Sequence, residues 1–459
     1  MTTLRHTRST TRRTTVSLDL LTTVGLALAP LPAHAAPSSA GTSGTALPST
    51  APAARPTWVT RDLSTEKAVD SVSITADGTV DLLRIDRTTG DGPSTEWTAT
   101  LYRQSPSGTR TRVRAFDGVT AGVFPELRTG ENGSSVLVVP ADGDKCRASI
   151  WTRKNGSTRW TRTVAPKGAS EALDADVQKN GTITVAYNVG RTLKTSTRKP
   201  GQKRWTTPRT VVTTPNLKAS ASLRSVHLDV TANGAATVAM RSVADIFDND
   251  GKADGHLYLA SRSAGTTKFG TATKASSTTV WNVAVAQAGA KSVASWTENK
   301  DLDTDKVYVR TRAHAKRAWG KRTTLATSVA GSPDGRATIV HTGHDGRATV
   351  RVLRRGGDTG FSKPVLSVKG SQETRLAQQH DGTVTLVSVV AGRTASTGKL
   401  VVRTSTKAGT RWSKPRTLGR SIVGGWYTLD LAVARGGATA VAWVAKTEGT
   451  GTHYVASHR

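Results

Sequence analysis

The chain has 459 residues, 64 of them lysine or arginine and 33 aspartate or glutamate, so its formal net charge at pH 7 is +31. A single cysteine excludes a framework of intramolecular disulfides. Leu-rich segments with a 3.6-residue period are missing beyond the N-terminus, whereas Val and Thr alternate between glycine-rich turns throughout, which predicts an all-β protein.

The N-terminal residues 1–35 have the pattern of a secretion signal. Four arginines precede a mostly apolar stretch from Val16 to Leu31, and Ala33-His34-Ala35 supplies a small-x-small cleavage pattern. The apolar stretch is too short and too interrupted to anchor the chain in a membrane. We therefore expect a secreted protein without a transmembrane anchor.

Residues 36–56 are rich in Pro, Ser, Ala, Gly and Thr, which predicts a disordered linker. Residues 57–459 then form the folded domain. Cys146 lies far from the N-terminus, and we expect it to be a buried, unreactive thiol.

A repeat of about 51 residues runs through this domain. Short apolar segments end in tight turns whose glycine usually follows Asp or Asn, a dipeptide that suits two-residue hairpins. The turn glycines are Gly78, Gly133, Gly181, Gly234, Gly289, Gly335, Gly382 and Gly436-Gly437.

Each repeat continues with two more strands after this hairpin, and an aromatic residue leads the fourth. These aromatic residues are Trp160, Trp205, Phe269, Trp319, Phe361 and Trp412. Four strands per repeat predict a β-propeller of seven or eight blades, with eight favoured.

The last repeat contains only three strands before the chain ends. Near the start, "TWVTRDLS" (Thr57 to Ser64) matches the fourth-strand segment "RWSKPRTLG" in its Trp and its spacing to Leu. We therefore expect this N-terminal strand to complete the final blade and close the ring, which leaves no exposed sheet edge.

"TSTKAGTRWSKPRTL" (Thr404 to Leu418) carries Ser405, Gly409 and Trp412 at the S-x-x-x-G-x-x-W spacing. The segment resembles a degenerate Asp box of secreted bacterial sialidase/BNR-like propellers, with Lys407 in place of the Asp. The resemblance implies that these turns are architectural and remote from any active site.

The same resemblance implies where a glycosidase site would lie, because sialidases use three arginines around a carboxylate together with Tyr, Glu and Asp residues. Candidates on or near innermost strands are Arg128, Arg224, Arg375, Glu171, Glu373 and Tyr427. A pair of carboxylates among them would suit glycoside hydrolysis.

Two loops at equivalent positions of adjacent repeats concentrate acidic residues in this very basic chain. They contain Asp245, Asp248, Asp250 and Asp254, then Asp301, Asp303 and Asp305, with Glu298 beside the second group. Alternating Asp oxygens suit Ca²⁺, so bound calcium is one prediction, and solvated acidic loops are the other. No motif requires a cofactor.

The loops that open on the top face would also present Trp281, Trp426 and Tyr427, whose rings suit sugar stacking. Basic residues gather instead in "STRKPGQKRW" and "RTRAHAKRAWGKR", at the turns between third and fourth strands. Such a charged rim favours association with anionic polymers.

These features predict a secreted, monomeric and non-catalytic binding or scaffold protein. Its expected partners are an extracellular glycan, an anionic cell-wall polymer or a protein, and specific recognition of nucleic acid is not expected because no reading motif is present. The alternative is a sialidase-like glycoside hydrolase or lyase acting on extracellular glycans.

Overall fold

The computed structural model describes residues that all belong to one compact unit, Arg55–Arg459. The described residues are 58–63, 69–87, 96–120, 125–130, 133–140, 148–169, 172–214, 223–243, 254–278, 280–299, 305–324, 328–331, 336–342, 346–353, 360–379, 381–392, 398–406, 409–422, 429–434, 436–447 and 450–458. Cys146 lies outside them.

The described residues form 32 strands, grouped into antiparallel four-stranded blades. Blade 1 contains β2 (Val69–Ile74), β3 (Val80–Arg87), β4 (Glu96–Gln104) and β5 (Arg110–Thr120). Blade 2 contains β6 (Glu126–Thr129), β7 (Ser135–Val139), β8 (Ser149–Arg153) and β9 (Trp160–Val164). Blade 3 contains β10 (Leu173–Val177), β11 (Ile183–Val189), β12 (Thr192–Arg198) and β13 (Arg209–Thr213). Blade 4 contains β14 (Leu223–Val230), β15 (Ala236–Val243), β16 (Asp254–Arg262) and β17 (Thr273–Thr278).

The second half of the ring repeats this order. Blade 5 contains β18 (Val280–Ala288), β19 (Lys291–Asn299), β20 (Asp305–Arg312) and β21 (Thr323–Thr324). Blade 6 contains β22 (Ser328–Gly331), β23 (Ala337–Thr342), β24 (Ala348–Leu353) and β25 (Leu366–Val368). Blade 7 contains β26 (Ser371–Gln378), β27 (Val384–Ala391), β28 (Gly398–Thr404) and β29 (Arg416–Ile422). Blade 8 contains β30 (Leu429–Val433), β31 (Thr439–Thr447), β32 (Thr450–His458) and, as its outer strand, β1 (Val59–Asp62).

The ring closes as the sequence predicts. Strand β1 pairs antiparallel with β32 from Val59 opposite Ser457 to Asp62 opposite Tyr454. Trp58 packs edge-on against His458, with ring centroids 4.4 Å apart. The eight-bladed prediction is therefore confirmed, and the seven-bladed alternative is wrong.

Glycine-containing turns mark the same position in each repeat, between the first and second strands. Gly78 and Gly234 follow Asp and Asn at the ends of first strands and have φ of +85° and +89°, values that L-residues with a side chain rarely adopt. Each turn thus reverses the chain between the first and second strands of its blade.

The hydrophobic core consists of apolar layers between adjacent blades. Leu257 and Leu259 of blade 4, for example, pack with Val280 and Trp296 of blade 5. Trp296 and Trp443 are both buried, which confirms the interpretation that they pack between blades. The described part of the chain contains no helix with the length and apolar character of a membrane span.

The repeated aromatic residues differ from their predicted position. Only Trp160 begins an outer strand, whereas the others lie in the turn that precedes it, as Trp412 precedes β29. After Phe269 and Trp319 the next residue donates its N–H to the third strand, from Gly270 to Ser261 and from Gly320 to Thr311, each at 2.9 Å. These bonds hold each ring against the neighbouring blade before the strand begins.

An arginine precedes four of these rings by seven residues and stacks on them. The pairs are Arg153 with Trp160, Arg198 with Trp205, Arg262 with Phe269 and Arg312 with Trp319, with guanidinium-to-centroid distances of 5.2 to 6.0 Å. Each of these arginines also reaches the preceding blade; Arg262, for example, donates to Thr184 at 2.7 Å. The arginines therefore tie blades 1 to 5 together.

Candidate functional site

Two concave regions of the propeller contain clusters of charged side chains. The innermost strands all run in the same direction because every blade repeats the same up-and-down order, so the channel has an entry end, where these strands begin, and a turn end. The turns between first and second strands and between third and fourth strands lie at the turn end. The first concave region is the central channel, and the second is a cleft at the turn end.

The channel cavity has a volume of about 670 Å³ and is lined by all eight innermost strands. Glu126, Arg128, Asp176, Asp229 and Asp430 contribute its charged groups. They come from blades 2, 3, 4 and 8, whereas the described lining of blades 5 to 7 is apolar or carries amides.

The buried aspartates have an architectural role in the channel. An innermost strand is the edge of its blade, so backbone N–H groups on its channel side have no strand partner. Aspartates of one blade accept these N–H groups from the next: Asp174 from Leu228 (2.6 Å), Asp176 from Val230 (2.9 Å), Asp229 from Gln287 (2.5 Å) and Asp430 from Val72 (2.7 Å).

Arg128 joins three blades. Its guanidinium pairs with Glu126 of the same strand and with Asp174 of blade 3 at 2.7 Å, and it donates to the carbonyl of Leu228 at 3.2 Å. The guanidinium is therefore paired with two acidic side chains of the protein and is not free to bind the carboxylate of a substrate.

Burial perturbs the titration of this cluster. Loss of water raises the pKa of Asp174 to about 7 and that of Asp176 to about 8, and for Asp176 the neighbouring Asp229 adds to the effect. The surrounding channel also opposes ionisation of the half-exposed Glu126, but Arg128 outweighs this desolvation and lowers the pKa of that carboxyl. The pKa of His227 falls to about 4 through burial and then through Arg128, so its imidazole is neutral at pH 7.

Of the remaining catalytic candidates, the structure describes the side chains of Arg375 and Glu373 only. Arg375 forms an ion pair with Glu373 at 2.9 Å on β26. Arg224 lies in β14, paired with Ser242, but its side chain is outside the described residues, as are Glu171 and Tyr427 altogether. Among the described side chains, Arg128 and Arg375 are thus each paired with carboxylates, and the catalytic assignment stays a prediction.

Most residues of the predicted calcium site and aromatic platform are outside the described part of the chain. Asp245, Asp248, Asp250, Asp301, Asp303, Trp426 and Lys407 are not described, and for Asp254, Asp305 and Trp281 only the strand backbone is. Calcium therefore stays a prediction. Among the residues that are described, no three His, Cys, Asp or Glu side chains lie together in a way that could hold a metal ion.

Glu298, beside the second acidic loop, is already engaged. Arg322 contacts both of its carboxylate oxygens at 3.2 Å, and Trp296 donates its indole N–H at 3.0 Å. Its side chain is 3% exposed, so this carboxylate supports the fold and is not available as a calcium ligand.

The second concave region, the basic cleft, lies at the turn end between blades 2 and 3 and has a volume of about 710 Å³. Three turns form it: 154–159 of blade 2, 179–181 at the first hairpin of blade 3, and 198–201 before the outer strand of blade 3. The cleft takes its charge from Arg153, Lys154, Arg159, Lys179, Arg198 and Lys199, and its described lining contains no Asp or Glu.

The cations of the basic cleft divide into a floor and a rim. Arg153 is buried and pairs with Asp81, and Arg198 is half-buried and donates to Thr163. Lys154, Arg159, Lys179 and Lys199 are exposed and form no ion pair with a described residue. The rim therefore presents to solvent four positive charges that no described carboxylate neutralises.

Sequence reasoning located only part of this cleft. The segment "STRKPGQKRW" is at the turn end, as predicted, and supplies Lys199. Lys154 and Lys179 were not singled out because they belong to two other turns. Aligning the turns of successive repeats and comparing their lysines would have brought the three together.

Comparison with known proteins identifies resemblance in fold only. No family model and no curated protein matches the chain. Among solved structures, an ulvan lyase described as a new polysaccharide lyase family aligns over 85% of this chain and 95% of its own, at 12% identity and a TM-score of 0.43. The β-propeller domain of the Trilobed protease from Pyrococcus furiosus aligns over 78% and 97%, at 10% identity and a TM-score of 0.41.

The Aleuria aurantia lectin also aligns, over 62% of this chain and 94% of its own, at 11% identity and a TM-score of 0.33. Propellers carry unrelated activities, and at these identities the resemblance says nothing about the ligand of this chain.

Proposed function

We propose that the protein is a secreted, non-catalytic binding protein that attaches to an anionic extracellular polymer through the basic cleft. The observation that carries this proposal is the rim of four exposed cations, with no acidic residue among those lining the cleft. A polyanion that follows such a rim releases its counterions, which favours binding. Acidic polysaccharides and phosphate-containing wall polymers have this chemistry.

Secretion is supported by the sequence of residues 1–35, and the overall charge of +31 agrees with a polyanionic partner. The rim charges belong to turns that rigid blades hold in place. Binding therefore does not need a conformational change, and the cleft can act as a fixed anchor.

The absence of catalysis is supported by the state of the channel. Arg128 and Arg375 are each paired with carboxylates of the chain. Asp174 and Asp176 accept backbone N–H groups of the next blade. The hydrogen bonds of Asp174 and Asp176 link adjacent blades, so both carboxylates are already engaged within the fold.

The test compares two variants with the same change of charge. Lys154→Glu/Lys199→Glu alters the rim of the basic cleft, and Lys316→Glu/Lys321→Glu alters exposed lysines of the equivalent turn in blade 5. Binding of polygalacturonate, poly(glycerol phosphate) and neutral dextran is measured by titration calorimetry at 50 mM salt.

We expect the wild-type protein to bind the two acidic polymers and not dextran, the cleft variant to bind them at least tenfold more weakly, and the blade 5 variant to stay within twofold of wild type. Equal losses in both variants would show diffuse attraction instead of a site, and no binding to either polyanion would refute the proposal.

A glycoside hydrolase or lyase is the second candidate, favoured by the opposite pKa shifts of Glu126 and Asp174 beside the channel cavity. The side chain of Glu126 is 49% exposed, but that of Asp174 is only 1% exposed. Incubation with a panel of fluorogenic glycosides and acidic polysaccharides distinguishes an enzyme from a binding protein. Turnover by the wild type that disappears in Glu126→Gln would establish an enzyme.

A further inference from the structure

Next to the basic cleft lies a shallow depression of about 410 Å³ that contains an aromatic side chain. Gln202, Lys203, Arg204, Trp205 and Thr206 line it. All five belong to the turn between β12 and β13, the same turn whose residues 198–201 line the cleft. The depression therefore adjoins the part of the cleft that this turn forms.

Trp205 is held in place differently from its counterparts in other blades. Its indole N–H donates to the carbonyl of Val164 on the outer strand of blade 2 at 2.8 Å. The corresponding nitrogens of Trp160, Trp319 and Trp412 are buried and have no hydrogen-bond partner among the described residues. Trp205 thus spans the boundary between blades 2 and 3, where the basic cleft lies.

The ring of Trp205 is fixed but not covered. Part of it packs on the apolar layer between blades 2 and 3, and the guanidinium of Arg198 lies 5.9 Å from its centroid. The side chain is half-buried, like those of Trp160, Phe361 and Trp412, whereas Phe269 and Trp319 are buried; what sets Trp205 apart is the hydrogen bond that fixes its ring. A rigid, partly open aromatic surface flanked by Lys203 and Arg204 suits a ring-shaped ligand that carries negative charge.

We infer that the polymer bound at the basic cleft is an acidic polysaccharide, and that one of its sugar rings stacks on Trp205 while its charged groups lie along the cleft. This inference rests on the proposed function and narrows its ligand. A polyphosphate has no ring for Trp205. Single-stranded nucleic acid is bound by several aromatic residues in succession, and this depression offers one.

The test distinguishes the contribution of stacking on Trp205 from the contribution of charge to polymer binding. Binding of polygalacturonate, inorganic polyphosphate and single-stranded poly(dT) is measured for the wild type, Trp205→Ala, Trp205→Phe and the Lys154→Glu/Lys199→Glu variant. We expect Trp205→Ala to weaken polygalacturonate binding fivefold or more and Trp205→Phe to weaken it less, because a ring remains. Polyphosphate binding should be unchanged by both Trp205 variants and weakened by the lysine variant.

The Trp205→Ala variant could lose binding simply because it folds poorly. An oxidation footprint on the wild-type protein tests the same contact without a substitution. Trp residues are oxidised with N-bromosuccinimide, and peptide mapping resolves Trp205 from the other ten of the 11 tryptophans. Polygalacturonate should protect Trp205, whereas polyphosphate should not.

Two results would overturn the inference while leaving polyanion binding at the cleft intact. One is that Trp205→Ala weakens binding of polyphosphate as much as binding of polygalacturonate. The other is that polygalacturonate does not protect Trp205 from oxidation. Protection by poly(dT) alone would overturn it in favour of nucleic acid. Failure of the lysine variant to weaken any polyanion would instead refute the proposed function.

Discussion

Asp81 lies between the guanidinium groups of two arginines that belong to different blades. Its oxygens are 3.1 Å from Arg103 of blade 1 and 2.8 Å from Arg153 of blade 2, and both Asp81 and Arg153 are almost completely buried. Arg153 also forms part of the floor of the basic cleft. This pair therefore connects the stability of the blade 1–blade 2 boundary with the proposed binding site.

Removing the carboxylate should be costly. Asp81→Asn leaves the buried guanidinium of Arg153 without its counter-charge, and we expect the free energy of unfolding to fall by about 3 kcal/mol. The double variant Asp81→Leu/Arg153→Met removes both charges and should be destabilised less than Asp81→Asn. Guanidinium denaturation measures the free energy of unfolding of both variants. If that of Asp81→Asn lies within about 0.5 kcal/mol of the wild-type value, the Asp81–Arg153 pair contributes little to stability.

The channel aspartates make stability depend on pH. The carboxyl groups of Asp174 and Asp176 have folded pKa values of about 7 and about 8 against an ordinary 3.8, so the folded chain holds protons that the unfolded chain has released. Stability from these groups is therefore present at low pH and is lost as pH rises to about 8. His227, with a folded pKa of about 4 against 6.5, acts in the opposite direction only below about pH 6.5.

Between pH 6.5 and 8.5 we thus expect the wild-type protein to lose stability, with a limit of about 1.4 kcal/mol per pH unit for each proton. Asp176→Asn should show a smaller decrease over the same range. Denaturation at pH 6.5 and pH 8.5 provides the measurement, and a wild-type protein that is more stable at pH 8.5 would contradict the assignment.

Individual charges in the channel were difficult to predict because their partners are far apart in sequence. Arg128 meets Asp174 across 46 residues, and Asp174 meets the N–H of Leu228 across 54. These sequence separations are close to the length of one repeat. The repeat length therefore predicts which blades are neighbours, but it does not predict which of their side chains make contact. The sequence did place Arg128 and Arg375 on innermost strands, but their ion pairs depend on side-chain geometry.

At the scale of the element, the four-strand repeat and its closure could be predicted, because Asp-Gly and Asn-Gly turns are local signals. The arginine seven residues before the aromatic was missed, although the spacing recurs in blades 2 to 5. Its significance depends on contacts with the preceding blade, which a pattern within one repeat does not reveal.

Strand β29 illustrates how closely adjacent blades approach. A Cβ atom at Gly419 would lie 2.9 Å from the indole nitrogen of Trp443, which is buried in β31 and stacked on Tyr454. Gly419→Ala therefore forces the ring or the strand to move, and we expect a loss of about 1 to 3 kcal/mol.

Gly360 provides the matched control, because a Cβ there meets nothing within 4 Å. Thermal unfolding should show a lower Tm for Gly419→Ala and a Tm close to wild type for Gly360→Ala. Equal Tm values for the two variants would mean that blades 7 and 8 pack more loosely than their contacts indicate.

At the scale of the whole molecule, two concave regions contain clusters of charged side chains. The central channel gathers carboxylates that hold neighbouring blades together, and the turn end between blades 2 and 3 presents the exposed cations of the basic cleft. Positive charge anywhere on the surface attracts a polyanion. A cleft whose described lining has cations and no acidic residue concentrates the attraction at one place. The central claim is that this cleft, rather than the total charge of +31, determines binding.

The salt dependence of polygalacturonate affinity tests that claim most directly. The slope of log K against log salt concentration reports how many cations meet the polymer. For Lys154→Gln/Lys199→Gln we predict a slope shallower than wild type by about 1.5, and for Lys316→Gln/Lys321→Gln, with the same net charge, an unchanged slope. Identical slopes in the two variants would contradict a binding site at the cleft.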